Sequence, residues 1–237
     1  MPVHSRRRGG ALVAGAQGRG RPCDGDRALG GRVNLGRNQL VVLLKAPRVG
    51  SVKTRLAESI GPEAALAAYQ QLVATLLSNL APLANVELCF APTDAHAEIA
   101  PWLRDGWGCH PQAGGDLGAR LQEVFLHHFQ SGAERVVIIG SDCPEVMPGD
   151  VESAWQALAN HDLVLGPAVD GGYWLVGLSA TQAHLFTVMP WSTEMVLAET
   201  LRRAGQSGLR VALLRELSDV DTEADWRRWR QRADRSD

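Results

Sequence analysis

The stretch Arg135-Val136-Val137-Ile138-Ile139-Gly140-Ser141-Asp142-Cys143-Pro144 decides the fold. Four consecutive β-branched residues with no polar residue among them predict a central parallel strand covered on both faces, since a strand with one wet face would alternate. Gly140 ends the run. Ligands of open α/β sheets lie beyond the carboxyl ends of the strands, so Asp142 is expected at the mouth of a crevice.

Working outward, short apolar runs alternate with longer segments of helical period, the pattern of an α/β domain. Strands are predicted over residues 39–44, 86–90, 107–110, 162–168, 173–178 and 210–214. Helices are predicted from near Lys53, from Pro62 to about Leu80, and over 95–103, 116–129, 150–160, 194–204 and 221–230. With the strand at Arg135 this makes a mixed, mostly parallel sheet of about seven strands between helical layers. The turn Val169-Asp170-Gly171-Gly172 suits an antiparallel pairing of the strands on either side of it.

Of the 237 residues, 45% are hydrophobic and 21% charged, which fits one domain with a sizeable core. Charge is unevenly placed. Residues 1–38 hold eight arginines against Asp24 and Asp26, while the remainder carries a net charge near −8. The Arg/Gly-rich leader buries too little to offset chain entropy and is expected to be disordered, leaving residues 39–232 as the folded domain. An acidic body argues against nucleic acid as partner, and no apolar stretch approaches the roughly 20 residues of a membrane span. Four cysteines without a C-x-x-C pair point to a reducing, cytoplasmic compartment.

Three loops follow strands. The first, Lys45 to Leu56, runs into a helix start, and Lys45, Lys53 and Arg55 would set fixed positive charge around a diphosphate. It matches neither the G-x-x-x-x-G-K-[ST] loop nor the G-x-G-x-x-G fingerprint, which sets aside P-loop NTPases and dinucleotide dehydrogenases. The second places Asp142, a hard carboxylate suited to Mg²⁺ or Mn²⁺ shared with phosphate oxygens. The third holds Asp170, which spacing alone makes a turn residue, followed by Tyr173 and Trp174. Capping explains Asp116 before its helix, although Gly115 beside it would permit close approach of a nucleotide. Asp219 and Asp221 could add a metal carboxylate or cap the last helix. His127 and His128 point to different helix faces and make a poor metal pair, and Trp226 and Trp229 read as one packed face.

Taken in order, K-A-P-R-V-G-S-V-K-T-R-L, G-G-D-L-G-A-R-L, I-I-G-S-D-C-P, G-P-A-V-D-G-G-Y-W-L-V-G-L, W-S-T and D-V-D-T-E-A-D-W resemble a bacterial family of nucleotide-diphospho-sugar transferase-like proteins. Some of its members are identified as arsenosugar biosynthesis glycosyltransferases, and the chain is more distantly similar to the 2-phospho-lactate and molybdenum-cofactor guanylyltransferases. The resemblance implies a GT-A type α/β/α sandwich, a phosphate-binding loop at Lys45, Lys53 and Arg55, and a divalent metal on Asp142. Asp142 departs from the family type in not sitting in a full D-x-D motif, since Gly140 holds the other position.

The leading expectation is glycosyl transfer from a nucleotide diphosphate sugar to a small-molecule acceptor. The metal and the basic loop would neutralise the leaving diphosphate, and Asp170 or Asp221 would take the acceptor's proton. The alternative is nucleotidyl transfer from an NTP with release of pyrophosphate. A non-catalytic nucleotide-binding module is the third.

Overall fold

The computed structural model describes residues 38–233, so the extension expected over residues 1–38 lies, save Asn38, outside the described residues. Seven strands, β1 (Asn38–Lys45), β2 (Val86–Ala91), β3 (Gly108–Pro111), β4 (Arg135–Gly140), β5 (Leu163–Pro167), β6 (Tyr173–Leu178) and β7 (Val211–Leu213), form one sheet in the order β3-β2-β1-β4-β6-β5-β7. Seven helices accompany them: α1 (Thr54–Ile60), α2 (Pro62–Asn79), α3 (His96–Ile99), α4 (Leu117–Gln130), α5 (Pro148–Ala157), α6 (Val196–Gln206) and α7 (Glu223–Ala233).

The apolar strands divide their side chains between two cores, as a period of two requires when both faces are covered. Leu40, Val42, Leu44, Val137 and Ile139 meet Tyr69, Val73 and Leu76 of α2 and Val151, Ala154 and Trp155 of α5. Val41, Val136 and Ile138 face the other way, onto Leu121, Val124 and Phe125 of α4 and Ala204 of α6. Each fully buried Leu or Val contributes about 1.5–3 kcal/mol relative to exposure. The two tryptophans of α7 are packed as expected, rings 5.3 Å apart, with Trp229 against Leu72 and Val220.

The Arg135 strand is central but only half parallel. β4 pairs parallel with β1 and antiparallel with β6, because β6 returns from β5 and inserts between β5 and β4. β6 is antiparallel to both its neighbours, and the other paired strands are parallel. Local chemistry moves several boundaries. Pro101 tightens the expected helix at 95–103 into α3 plus a 3-10 turn. α5 begins earlier than predicted, at Pro148, where Met147 N–H donates to Asp150 Oδ2 at 2.8 Å. Among the described residues no helix is long and apolar enough to cross a membrane.

This topology gathers the chemistry at one sheet edge. The carboxyl ends of β1 and β4 adjoin there, and β6 starts at the same edge because it runs the opposite way. Backbone hydrogen bonds then stitch the segment after β7 across it: Leu217 N–H to Pro167 O, Val169 N–H to Leu217 O, and Val220 N–H to Asp142 O at 2.9 Å.

Candidate functional site

A cavity of about 680 Å³ opens at that edge. Lys45, Lys53, Arg55, Asp142, Asp219 and Asp221 all line it, with Gln112, Arg120, Tyr173 and Trp174. The positive loop and the acid after β4 therefore meet, and more closely than the sequence implies. Lys53 Nζ is held by Asp142 Oδ1 and, at 3.0 Å, by Asp221 Oδ1. Its side chain is only 2% exposed, whereas those of Asp142 and Asp221 are 46% and 39% exposed.

The local backbone explains this placement. Lys53 is the N-cap of α1 in the left-handed region, at φ 48°, without a side-chain cap. That conformation costs a non-glycine residue roughly 1–2 kcal/mol, and the double ion pair offsets it. Burial would push the Lys53 ammonium down; the charges of Asp142 and Asp221 overcome this and hold it above its ordinary range. With only seven residues, α1 supplies little dipole of its own, so the positive charge of the site comes from side chains.

The other bases of the loop divide. Arg48 is turned onto Glu98 and Asp94, away from the acids. Arg55 is 71% exposed with Nη1 4.0 Å from Asp221 Oδ2, and Lys45 ends β1, its N–H donating to the Tyr69 hydroxyl at 2.9 Å.

Asp219 joins the acids from the chain segment that the Val220 N–H bond ties to residue 142. Burial, then the like charges of Asp142, Asp221 and Asp170, push its carboxyl up to about 7 against the pull of Lys53. Three carboxylates facing one half-exposed cavity form a hard oxygen donor set. Two of them already converge on one cation, the ammonium of Lys53.

The remaining predicted residues lie at the margin. Asp170 Oδ1 accepts from Gly172 N–H at 2.9 Å inside its turn, and Asp170 does not line the cavity. Asp116 caps α4, accepting from Ala119 N–H at 2.8 Å. Gly115 has φ +97°, and a Cβ there would stand 2.9 Å from the Ala119 Cβ. Neither Gly115 nor Asp116 lines the cavity, but they position a residue that the sequence reading passed over. Arg120 does line it, with Nε donating to Gly115 O at 3.1 Å and Nη1 to Gln112 Oε1 at 3.4 Å. Gln112 in turn bridges Leu44 O and Cys89 O near the carboxyl ends of β1 and β2. The signal was present in the sequence, as a basic residue one turn inside a Gly-Gly-Asp helix start.

A second group of ionisable side chains lies apart from the cavity: Glu87, His110 and His128 offer ligand atoms all within 4.8 Å of one another. His128 thus enters a possible metal-binding triad, although the pair His127-His128 reads as a poor one.

Comparisons with known proteins identify the family and the fold. Residues 75–193 match the model of a family described as "Uncharacterized protein conserved in bacteria (DUF2064)". A search of curated proteins found no match. Among solved structures, a provisionally assigned nucleotide-diphospho-sugar transferase from Desulfovibrio desulfuricans is 33% identical, with a TM-score of 0.74 over 78% of this chain and 83% of that one. A CMP:2-keto-3-deoxy-manno-octonic acid synthetase complexed with CTP shares the fold at 14% identity and TM-score 0.54, over 85% of this chain and all of the other. Rv0371c from Mycobacterium tuberculosis, in complex with manganese, does so at 17% and 0.52, over 81% and 97%. The family match and the 33% relative show that the chain belongs to the bacterial DUF2064 family, built on the fold of the nucleotide-diphospho-sugar transferases.

Proposed function

We propose that the cavity binds a nucleotide diphosphate sugar together with Mg²⁺ or Mn²⁺ and transfers the sugar to a small hydroxyl acceptor. One observation carries the reading: Lys45, Lys53 and Arg55 share a single cavity with Asp142, Asp219 and Asp221. Carboxylate oxygens are the donors that Mg²⁺ and Mn²⁺ prefer, and Asp142 and Asp221 already face one cationic point, so the residues present fit such an ion. Asp142, with Asp219 and Asp221, would hold it. When bound, the ion neutralises charge developing on the departing diphosphate.

The chain's own residues do the rest. Lys45 and Arg55 bind diphosphate oxygens from the solvent side, and Lys53 holds Asp142 and Asp221 in register while adding positive charge beneath the diphosphate. Arg120, fixed by Gln112 and Gly115, is a further anion contact on the α4 side. Of the two carboxylates expected to take the acceptor's proton, Asp221 lines the cavity but is engaged by Lys53 and would be engaged by the ion; Asp170 lies outside the lining and acts on it through the charge it adds near Asp219. Trp174, 3% exposed, forms part of the floor.

The presence of three carboxylates rather than one also favours a second reading, nucleotidyl transfer, because two cations can clamp the attacking and leaving oxygens of a displacement at phosphorus. Incubation with nucleotide sugars and NTPs in the presence of Mn²⁺ separates the two. Release of nucleoside diphosphate supports glycosyl transfer, whereas pyrophosphate from an NTP replaces it with the second. Binding without any turnover refutes both in favour of a binding module. In the active assay Asp142→Asn is expected to lower turnover at least about a hundredfold, the usual scale for losing a group that stabilises transition-state charge.

A further inference from the structure

We propose that Glu87, His110 and His128 form a transition-metal site of the Zn²⁺ class, separate from the nucleotide cavity. The three come from β2, the edge strand β3 and the last turns of α4. Their ligand atoms lie within 4.8 Å of one another, and none of the three lines the cavity.

The argument starts from unmet hydrogen bonds. The His128 side chain is fully buried, yet neither Nδ1 nor Nε2 has a hydrogen-bond partner. A buried polar group left so costs about 1–3 kcal/mol, and groups of this kind in a folded protein call for an explanation. His128 Nε2 faces Glu87 Oε2 at 3.6 Å, too long for a hydrogen bond. His110 Nδ1 lies against Glu87 Oε1 without an aligned hydrogen bond. A buried imidazole without a hydrogen-bond partner, set beside a carboxylate and a second imidazole, is a donor set whose unmet bonds a cation would satisfy.

The chemistry of the set selects the ion. Two imidazoles and one carboxylate form a borderline donor set that suits Zn²⁺ and its first-row neighbours and leaves an open position; Mg²⁺ and Ca²⁺ prefer oxygen alone. The outer partners fit too. His110 Nε2 lies 3.2 Å from Cys89 Sγ, a contact that leaves Nδ1 turned to Glu87. Cys89 Sγ sits on the far ring nitrogen of His110, which makes it an outer partner rather than a fourth ligand. The exposed His127 ring stands 5.4 Å from that of His110, on the solvent side.

An ion here clamps the short edge strand β3 and the C-terminal turn of α4 to β2. The other end of α4 carries Arg120 into the nucleotide cavity, eight residues or roughly 12 Å along the helix. The site therefore braces the wall of the cavity without entering it.

The test uses the full chain stripped with a chelator and titrated with Co²⁺, read by visible absorption, and with Zn²⁺, read by metal content after desalting. One equivalent is expected to bind and to give the intense bands of a low-coordinate cobalt site in the wild-type protein and in Asp142→Asn. His110→Gln and Glu87→Gln, both at partly exposed positions, should remain folded by circular dichroism and bind at least tenfold more weakly. Absence of the cobalt bands from the wild type, or their persistence in folded His110→Gln, overturns the proposal. So does their loss in Asp142→Asn alone, which would assign the ion to the cavity. This outcome is independent of turnover, so the inference can fail while the proposed reaction stands.

Discussion

Replacing Lys53 by methionine tests the electrostatic design of the cavity, because it removes one charge while keeping most of the buried stem. At 3.0 Å, the Lys53–Asp221 separation, unit charges attract by roughly 5 kcal/mol at an effective dielectric of about 20. Most of that is cancelled by the desolvation of an ammonium whose side chain is 2% exposed. Breaking a buried pair costs about 3–5 kcal/mol, but Asp142 and Asp221 are partly open to water, which screens the charges left behind. A loss of about 2–3 kcal/mol follows, a fall in Tm of roughly 4–12 °C for a domain of this size. Metal affinity should move the other way. A unit charge 4 Å from a divalent cation opposes it by about 2 kcal/mol even in water, so Mn²⁺ should bind Lys53→Met at least about tenfold more tightly than wild type. Thermal unfolding with and without Mn²⁺, and calorimetric titration of Mn²⁺, read both effects. An unchanged Tm, or Mn²⁺ affinity equal to or weaker than wild type, would refute the reasoning.

Two further perturbations probe the same edge of the sheet. Asp219, raised to about 7 from 3.8, keeps in the folded state a proton that the unfolded chain releases. Its contribution is thus fully present below pH 3.8 and is lost as pH rises through about 7. Asp219→Asn should flatten the fall in apoprotein stability across this window, raise Tm at pH 8 and weaken Mn²⁺ binding; a parallel pH profile in the two proteins would contradict the assignment. Gly171 has φ +87°, and a Cβ there would lie 2.3 Å from Glu194 O, while its own carbonyl accepts from Leu197 N–H at 2.9 Å. Gly171→Ala should therefore cost at least about 2 kcal/mol, read by denaturant unfolding.

Much of the fold is legible because strand and helix periods are local. The run Arg135 to Gly140 lies where its composition places it, and all seven predicted strands occur; β4, β5 and β6 are apolar and buried along most of their length, whereas the edge strands β3 and β7 are short and partly exposed. The antiparallel side of β4 was not legible there: its four β-branched residues would look the same beside a parallel or an antiparallel neighbour. The insertion of β6 is decided by the turn at Asp170 and by packing across the sheet. At the site, Asp142 and the basic loop could be placed because both follow strands that end at the same edge. That Lys53 would be engaged by Asp142 and Asp221 could not, since the contacts span 89 and 168 residues and depend on the Val220–Asp142 backbone bond. Glu87, His110 and His128 escaped for the same reason. They sit on three elements, and only the pairing of β2 with β3 and the packing of α4 bring them together. His127 and His128 point to different helix faces, and the groups that approach His128 belong to β2 and β3.

The central claim is that one nucleotide diphosphate, one divalent cation and the Asp142–Lys53–Asp221 cluster occupy the same cavity. Crystals soaked with Mn²⁺ and a nucleoside diphosphate, measured at the manganese absorption edge, test it most directly. The account predicts an anomalous peak on Asp142 and Asp221, with the diphosphate on the peak and within reach of Lys45, Lys53 and Arg55. Manganese absent from both carboxylates, with the nucleotide bound elsewhere on the molecule, would contradict it.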